Sequence, residues 1–244
     1  MAGFSEELNR LESIQRVVDT TEPHESPFAY FNMGKSRYDA TDYSGAIRLW
    51  KRLLEGPLAE KVDPALLSHT LFSLGRALDA AGDLAGALEA YEGFASRHPL
   101  DALARFNAGE ILSRLERFGE AEAHYLAAAE LDVDPDAATR RDALVNLSGD
   151  RQSRGNVAGS LELLREVRDI DPDDGEIRLA LATALRDVGD VGAAFAEATR
   201  AVELLETHDP DPDADALRRD ELARGLALVE DLTAERAGRN PAPP

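Results

Sequence analysis

The sequence predicts an all-α chain, a solenoid of antiparallel helix pairs, and three observations carry that reading. A small residue on an apolar helical face is followed twelve positions later by another, five times: Gly34–Ala46, Gly75–Ala87, Gly109–Ala121, Ser148–Ser160 and Ala182–Ala194. Between the members lies a turn signal: Thr41-Asp42, Gly82-Asp83, Glu116-Arg117, Gly155-Asn156 and Gly189-Asp190. Gly, Asn and Asp there tolerate a left-handed stop and cap the following helix. Around each first member the neighbouring turns are apolar: Tyr30 and Met33, Leu71 and Leu74, Ala108 and Leu112, Leu144 and Leu147, Leu181 and Leu185. Each unit therefore reads as helix–turn–helix, and the paired small residues let the two backbones cross closely.

In chain order, Phe4, Leu8, Leu11, Ile14, Val17 and Val18 predict an amphipathic helix over about 4–19, within a segment 1–20. It is expected either to cap the first unit or to pair with another chain, since exposed apolar stripes find partners. The breaker-rich Thr20–Pro27 follows. The units occupy 28–206, at about 28–61, 68–101, 102–135, 141–174 and 175–208, with small-to-small steps of 41, 34, 39 and 34 residues. The surplus residues of the two long steps fall between units, at Glu55–Pro64 and Asp132–Thr139, and are expected to be loops. After the acidic turn Asp209–Asp215, Leu217, Leu222, Leu226, Val229 and Leu232 predict a capping helix over about 215–236. Residues 237–244 are expected to be disordered.

Four residues past each second small residue stands Trp50, Tyr91, Tyr125, Leu164 or Ala198. With these positions the chain resembles the tetratricopeptide repeat family. The second unit, Leu71-x-x-Leu74-Gly75-x-x-Leu78 through Ala87-x-x-x-Tyr91 to Pro99, matches that pattern except for the first aromatic and the Tyr before the turn. The first unit adds Asp42-Tyr43-x-x-Ala46-Ile47. Units four and five depart from it, with Ser148 for Gly, Ser160 for Ala and Ala198 for the bulky residue. The resemblance implies a right-handed solenoid whose first helices line a concave groove. It also implies a protein-interaction scaffold rather than an enzyme.

Composition narrows the partner. The 244 residues hold 47 acidic and 27 basic side chains, a net charge of −20, and no cysteine. Nucleic-acid binding rests on clustered Lys and Arg, so a chain this acidic is read as binding none. The same charge disfavours anionic membranes. Without Cys there is no disulfide framework, thiolate metal site or cysteine nucleophile. MAGFSEELNR has no basic-then-apolar leader pattern, and no apolar run reaches spanning length, so a cytoplasmic location is expected. Only Lys35, Lys51 and Lys61 are lysines. That bias fits either concentrated salt, where the Debye length is about 3 Å at 1 M, or a GC-rich genome. Helicity that rises with KCl marks the first, and a chain fully folded at about 50 mM salt the second.

No phosphate-loop, dinucleotide, HExxH or GxSxG motif is present, and the histidines His24, His69, His98, His124 and His208 lack ligand spacing, so no cofactor or metal is expected. Asp169, Asp171, Asp173 and Asp174 precede Gly175 as in a calcium loop, but Ala180 stands where the closing Glu belongs. Helix capping is the expected role of these acids.

The face beside the core stripe of each first helix reads Phe28, Phe31, Lys35, Tyr38; His69, Phe72, Arg76, Asp79; Leu103, Phe106, Glu110, Ser113; Asp142, Val145, Gly149, Gln152; Glu176, Leu179, Thr183, Arg186. On that face Phe31, Phe72 and Phe106 are the expected apolar anchors for a peptide. Asn32, Asn107 and Asn146 would bind its backbone, and Lys35 and Arg76 would meet an acidic group. The alternative role of the three Phe is to pack one unit on the next. The subfamily that clamps chaperone C-termini uses a Lys and an Asn one turn apart, and here Phe31 and Lys35 stand in those places. The two-carboxylate clamp is therefore not expected. The rival function is a self-associating scaffold using the terminal helices and the convex face.

Overall fold

The computed structural model describes residues 26–132, 138–207 and 215–239. Among them are eleven α-helices and no strand. In order these are α1 (Pro27–Asp39), α2 (Tyr43–Leu54), α3 (Pro64–Ala80), α4 (Leu84–Arg97), α5 (Ala102–Arg114), α6 (Phe118–Leu131), α7 (Ala138–Ser153), α8 (Val157–Ile170), α9 (Gly175–Asp187), α10 (Val191–Thr207) and α11 (Asp215–Arg239). They form five consecutive pairs and a final helix, the all-α repeat architecture. The expected N-terminal helix over 4–19, most of Asp132–Thr139 and residues 240–244 lie outside the described residues.

The turn chemistry explains why each pair forms. The first residue of all five turn dipeptides is left-handed: φ is 59° at Thr41, 82° at Gly82, 59° at Glu116, 77° at Gly155 and 83° at Gly189. That geometry lets the chain reverse while the last carbonyls stay bonded, as in Gly82 N to Asp79 O and Asp83 N to Leu78 O, both 2.9 Å. The second residue then caps the next helix. Asp42, Asp83, Asn156 and Asp190 accept from the backbone N–H of Gly45, Gly86, Gly159 and Ala193 at 2.9–3.1 Å. Arg117 makes no such cap and instead pairs with Glu120 at 2.7 Å. Asp63, Asp101 and Asp174 cap α3, α5 and α9 in the same way, so capping is what Asp174 does.

Between α2 and α3 the chain is not the irregular loop expected there. Residues Gly56–Lys61 form a 3-10 helix, begun by Pro57 in its first turn, where the missing N–H costs nothing.

The chain divides into two compact units, residues 1–99 and 100–244. In the first, α1 packs on α2, α3 on α4, and α2 on α3. Ala46 and Ala87 are fully buried at the two crossings. What the facing glycines accommodate is a ring rather than the partner alanine. A Cβ on Gly34 would stand 2.3 Å from Nε1 of Trp50, and one on Gly75 would stand 2.8 Å from Cε1 of Tyr91.

The second unit repeats this with Gly109 against Tyr125, again at 2.8 Å. In its later pairs the ring is replaced by Leu164 or Ala198, and the glycine by Ser148 or Ala182, all buried. Arginine–carboxylate pairs tie its helices together: Arg151 (2.5 Å) and Arg154 (3.0 Å) to Glu122, Arg141 to Asp174, and Arg168 (3.1 Å) and Arg178 (2.5 Å) to Glu197. The final helix α11 packs along α10 and touches α9, as α7 packs along α6 and touches α5. It thus holds the position of a further first helix, with Leu232 fully buried against the α9–α10 core and Arg186 paired to Asp231 (3.4 Å) and Glu235 (2.6 Å).

Candidate functional site

In the first unit, consecutive first helices α1 and α3 enclose a cleft of about 280 Å³ lined by Phe31, Lys35, Tyr38, Asp39, Trp50, Ser73 and Arg76. Its wall is aromatic. The Trp50 ring lies 6.1 Å from Phe31 and 6.2 Å from Tyr38, and its indole N–H donates to the Phe31 carbonyl at 3.2 Å. That bond fixes the indole where the missing Cβ of Gly34 leaves room. The Arg76 guanidinium lies 5.1 Å from the centre of the Tyr38 ring, a cation–π approach that orients it over the wall. Lys35 and Arg76 are exposed, and neither closes an ion pair among the described residues. Beneath the cleft the turn is stiffened by buried Arg37, whose guanidinium donates to Asp42 at 2.7 Å. Burial pushes the Asp42 carboxyl up, but the Gly45 N–H, Arg37 and Ser44 together outweigh it, leaving the group below its ordinary value.

The cleft therefore gathers Phe31, Lys35 and Arg76. It does not gather Asn32, which is exposed outside it, or Phe72. Phe72 is half-buried, with its ring 5.8 Å from Tyr91 and 5.3 Å from Phe94, inside its own helix pair.

In the second unit Phe106 packs on Tyr125 at 6.1 Å, and Asn107 is half-buried beside it. Asn146 faces Glu110, its side-chain N–H donating at 3.4 Å. Nearby the Ser113 hydroxyl donates to Asp150 at 2.6 Å. Burial, joined by the charges of Asp150 and Glu110, pushes the Tyr125 phenol well above its ordinary value, while Asn146 and Ser113 hydrogen-bond it. A larger cleft, about 440 Å³, lies between α9 and α11, with Glu176, Leu179, Thr183 and Arg186 on one wall and Arg224, Leu228 and Asp231 on the other.

Sequence reasoning placed Tyr38, Thr183 and Leu179 on the right face but did not select them. It missed Asp39, Trp50 and Ser73 as cleft residues and the whole α11 wall. The signal for α11 was Leu222-x-x-Gly225-x-x-Leu228, a small residue flanked by apolar turns. It stands 43 residues after Ala182, outside the repeat steps. Among the described residues no group of three or more acidic or imidazole side chains is placed to hold a metal, and no helix is long and apolar enough to cross a membrane.

Helix pairs that cross on small residues, with ring-filled crossings and clefts between successive first helices, define a helical-repeat scaffold. The fold is that of tetratricopeptide repeat proteins. Residues 72–138 match the model of the family described as Tetratricopeptide repeat. Over 141 residues the chain is 36% identical to Cellulose synthase 2 operon protein C of Komagataeibacter xylinus, a match covering 52% of this chain and 10% of that protein. This chain thus corresponds to a small part of that relative's length. Among solved structures it is similar to a MamA protein, with a TM-score of 0.65 at 20% identity over 76% of this chain and 98% of that one. It is also similar to YrrB, described as a TPR protein with an unusual peptide-binding site, with a TM-score of 0.59 at 15% identity over 80% and 93%.

Proposed function

We propose that the chain is a protein-interaction scaffold that captures a partner peptide on the face made by its first helices. Phe31, Asn32, Lys35, Phe72 and Arg76 would act in the first unit, and Phe106, Asn107 and Asn146 in the second. The observation that carries the reading is the aromatic-walled cleft of the first unit, where two exposed cations close no ion pair among the described residues and outnumber the single acid, Asp39, in a chain of net charge −20. Exposed cations over aromatic rings are suited to an acidic group on a partner, and the apolar wall to a side chain beside it. The reading is of a binding protein and assigns no catalytic group. Its supports are the fold shared with YrrB and the cleft itself.

The test is affinity capture from native extract at native salt, with wild-type protein against Phe72→Ala/Arg76→Glu and Lys35→Glu/Arg76→Glu. Loss of a specific partner with helicity intact is the expected result; unchanged capture by both variants sinks the groove reading.

A second reading, self-association, has one observation in its favour. The final helix α11 holds a first-helix position with no second helix against it among the described residues, and Leu226 on it is 49% exposed. Deleting residues 1–20, or Leu226→Glu on α11, and measuring the number of chains per particle separates the two: a fall in that number favours assembly through the termini.

A further inference from the structure

We propose that residues 4–19 of one copy serve as the second helix that α11 of another copy lacks, so that copies of this chain join head to tail. The inference rests on the self-association reading and adds which two surfaces meet. It does not involve the α1–α3 cleft.

A second helix lies in the furrow between two first helices. Thus α2 packs on α1 and α3, α6 on α5 and α7, α8 on α7 and α9, and α10 on α9 and α11. Each interior first helix is covered from both sides as a result. The residues five before, one before and two after its small residue look back at the preceding pair. On α3 these are Thr70, Leu74 and Ala77, and on α9 Ile177, Leu181 and Ala184, all buried. On α1 the same places hold Ala29 and Met33, which are half-buried, and Ser36, which is exposed. No second helix precedes α1 among the described residues.

At the other end α11 is open on the opposite flank. Gly225 looks back at the preceding pair: a Cβ there would stand 3.0 Å from Val202 and 3.2 Å from Leu179. Leu226 follows Gly225 as Ala182 follows Leu181, so it stands where a second helix crosses. With Leu222 and Val229 it makes a stripe at i, i+4 and i+7; those two are half-buried at its edge, and Leu226 is 49% exposed. The terminal element of a helical array needs a polar outer flank to stay soluble. A leucine stripe in that place is suited to a further helix.

One segment fits both openings. Phe4, Leu8, Leu11, Ile14 and Val17 recur at steps of three and four, the pattern of a one-sided apolar helix. The 16 residues from 4 to 19 fall within the 12 to 17 of the second helices. Residues 20–26, extended, reach about 23 Å, enough for the segment to lie back along α1. Its stripe then covers Ala29 and Met33 of its own chain and Leu226 of the other copy together, because a helix in a furrow meets both walls with one face. The two surfaces are unlike, so every added copy leaves one open end and assembly continues past two chains.

The test compares the full chain with Leu11→Glu and Leu226→Glu by size-exclusion chromatography with light scattering. It is run at about 1 M KCl, where the Debye length is about 3 Å and copies of net charge −20 repel little. Leu226 is exposed and Leu11 lies before α1, so circular dichroism should find the helix pairs intact in both variants. The unaltered chain should form particles of more than two chains that grow with concentration, and each variant should stop at a single chain. An equimolar mixture of the variants should form particles of two chains, because Leu11→Glu keeps α11 and Leu226→Glu keeps the N-terminal segment. Pairs formed by Leu11→Glu alone would mean that two α11 helices meet each other, which overturns the proposal. Growth indifferent to Leu226→Glu, or a mixture that stays at single chains, overturns it too, while self-association of the unaltered chain stands. An unaltered chain that is single at every concentration ends both.

Discussion

A Cβ built on Gly75 would stand 2.8 Å from Cε1 of Tyr91, so the glycine is the space the tyrosine ring occupies. Gly34 with Trp50 and Gly109 with Tyr125 repeat the relationship. Gly75→Ala should therefore cost about 1–3 kcal/mol, the scale of overpacking a close-packed interior. In a double-mutant cycle read by urea unfolding, Gly75→Ala/Tyr91→Leu should cost about 1 kcal/mol less than the two single changes summed. Strict additivity would show that ring and glycine are not coupled.

Thr41 and Glu116 occupy left-handed backbone at φ 59° where three other units use Gly. A β-branched residue there carries strain of about 1 kcal/mol or more, and glycine relieves it at a smaller entropic cost. Thr41→Gly should raise the thermal midpoint by a few degrees, with Glu116→Gly giving a smaller gain. A lower midpoint for Thr41→Gly would mean that its side chain stabilises the turn in another way.

Asp83 bonds the Gly86 N–H at 3.0 Å, so Asp83→Ala should lose about 1 kcal/mol of stability in urea titration. Arg117 occupies the matching position in the third unit without capping. Arg117→Asp should stabilise by about 0.5 kcal/mol or more, because a cap outweighs the exposed Arg117–Glu120 pair it removes.

Hydrogen bonds from Arg151 hold the Glu122 carboxyl below its ordinary value, burial opposes this, and Arg154 adds to it. A carboxyl depressed in the folded chain contributes stability that is complete above its unfolded pKa and is lost as pH falls through the folded one. Stability should hold above about pH 5 and decline towards about pH 3. Glu122→Gln should cost about 1 kcal/mol at pH 7 and flatten that decline, as followed by thermal unfolding across pH. An unchanged slope would assign the acid sensitivity to other carboxylates.

The five turns were legible because their requirement is local. A left-handed residue followed by a capping side chain is written in adjacent letters, and the structure has both at Gly82-Asp83, Gly155-Asn156 and Gly189-Asp190. Even Thr41 and Glu116 were found by spacing alone. The Gly56–Lys61 helix was not, since Gly-Pro signals a break and leaves open what the following residues do.

The candidate site was legible only as a face. Lys35 and Arg76 were singled out as rare cations on the right stripe, but nothing in their letters says that Asp39, Ser73 and Trp50 line the same cleft. Nor did composition reveal that Phe72 turns to Tyr91 and Phe94 while Phe31 lines the cleft.

By itself, then, the sequence determined the helix pairs, their turns and most of their caps. These depend on backbone sterics and hydrogen bonds within one helix hairpin, which neighbouring residues settle. Only the tertiary structure decided which exposed charges share one aromatic cleft, and that α11 takes a first-helix position against α10. Those outcomes depend on how whole helices stack, where residues 41 apart such as Lys35 and Arg76 meet through packing that no local pattern encodes.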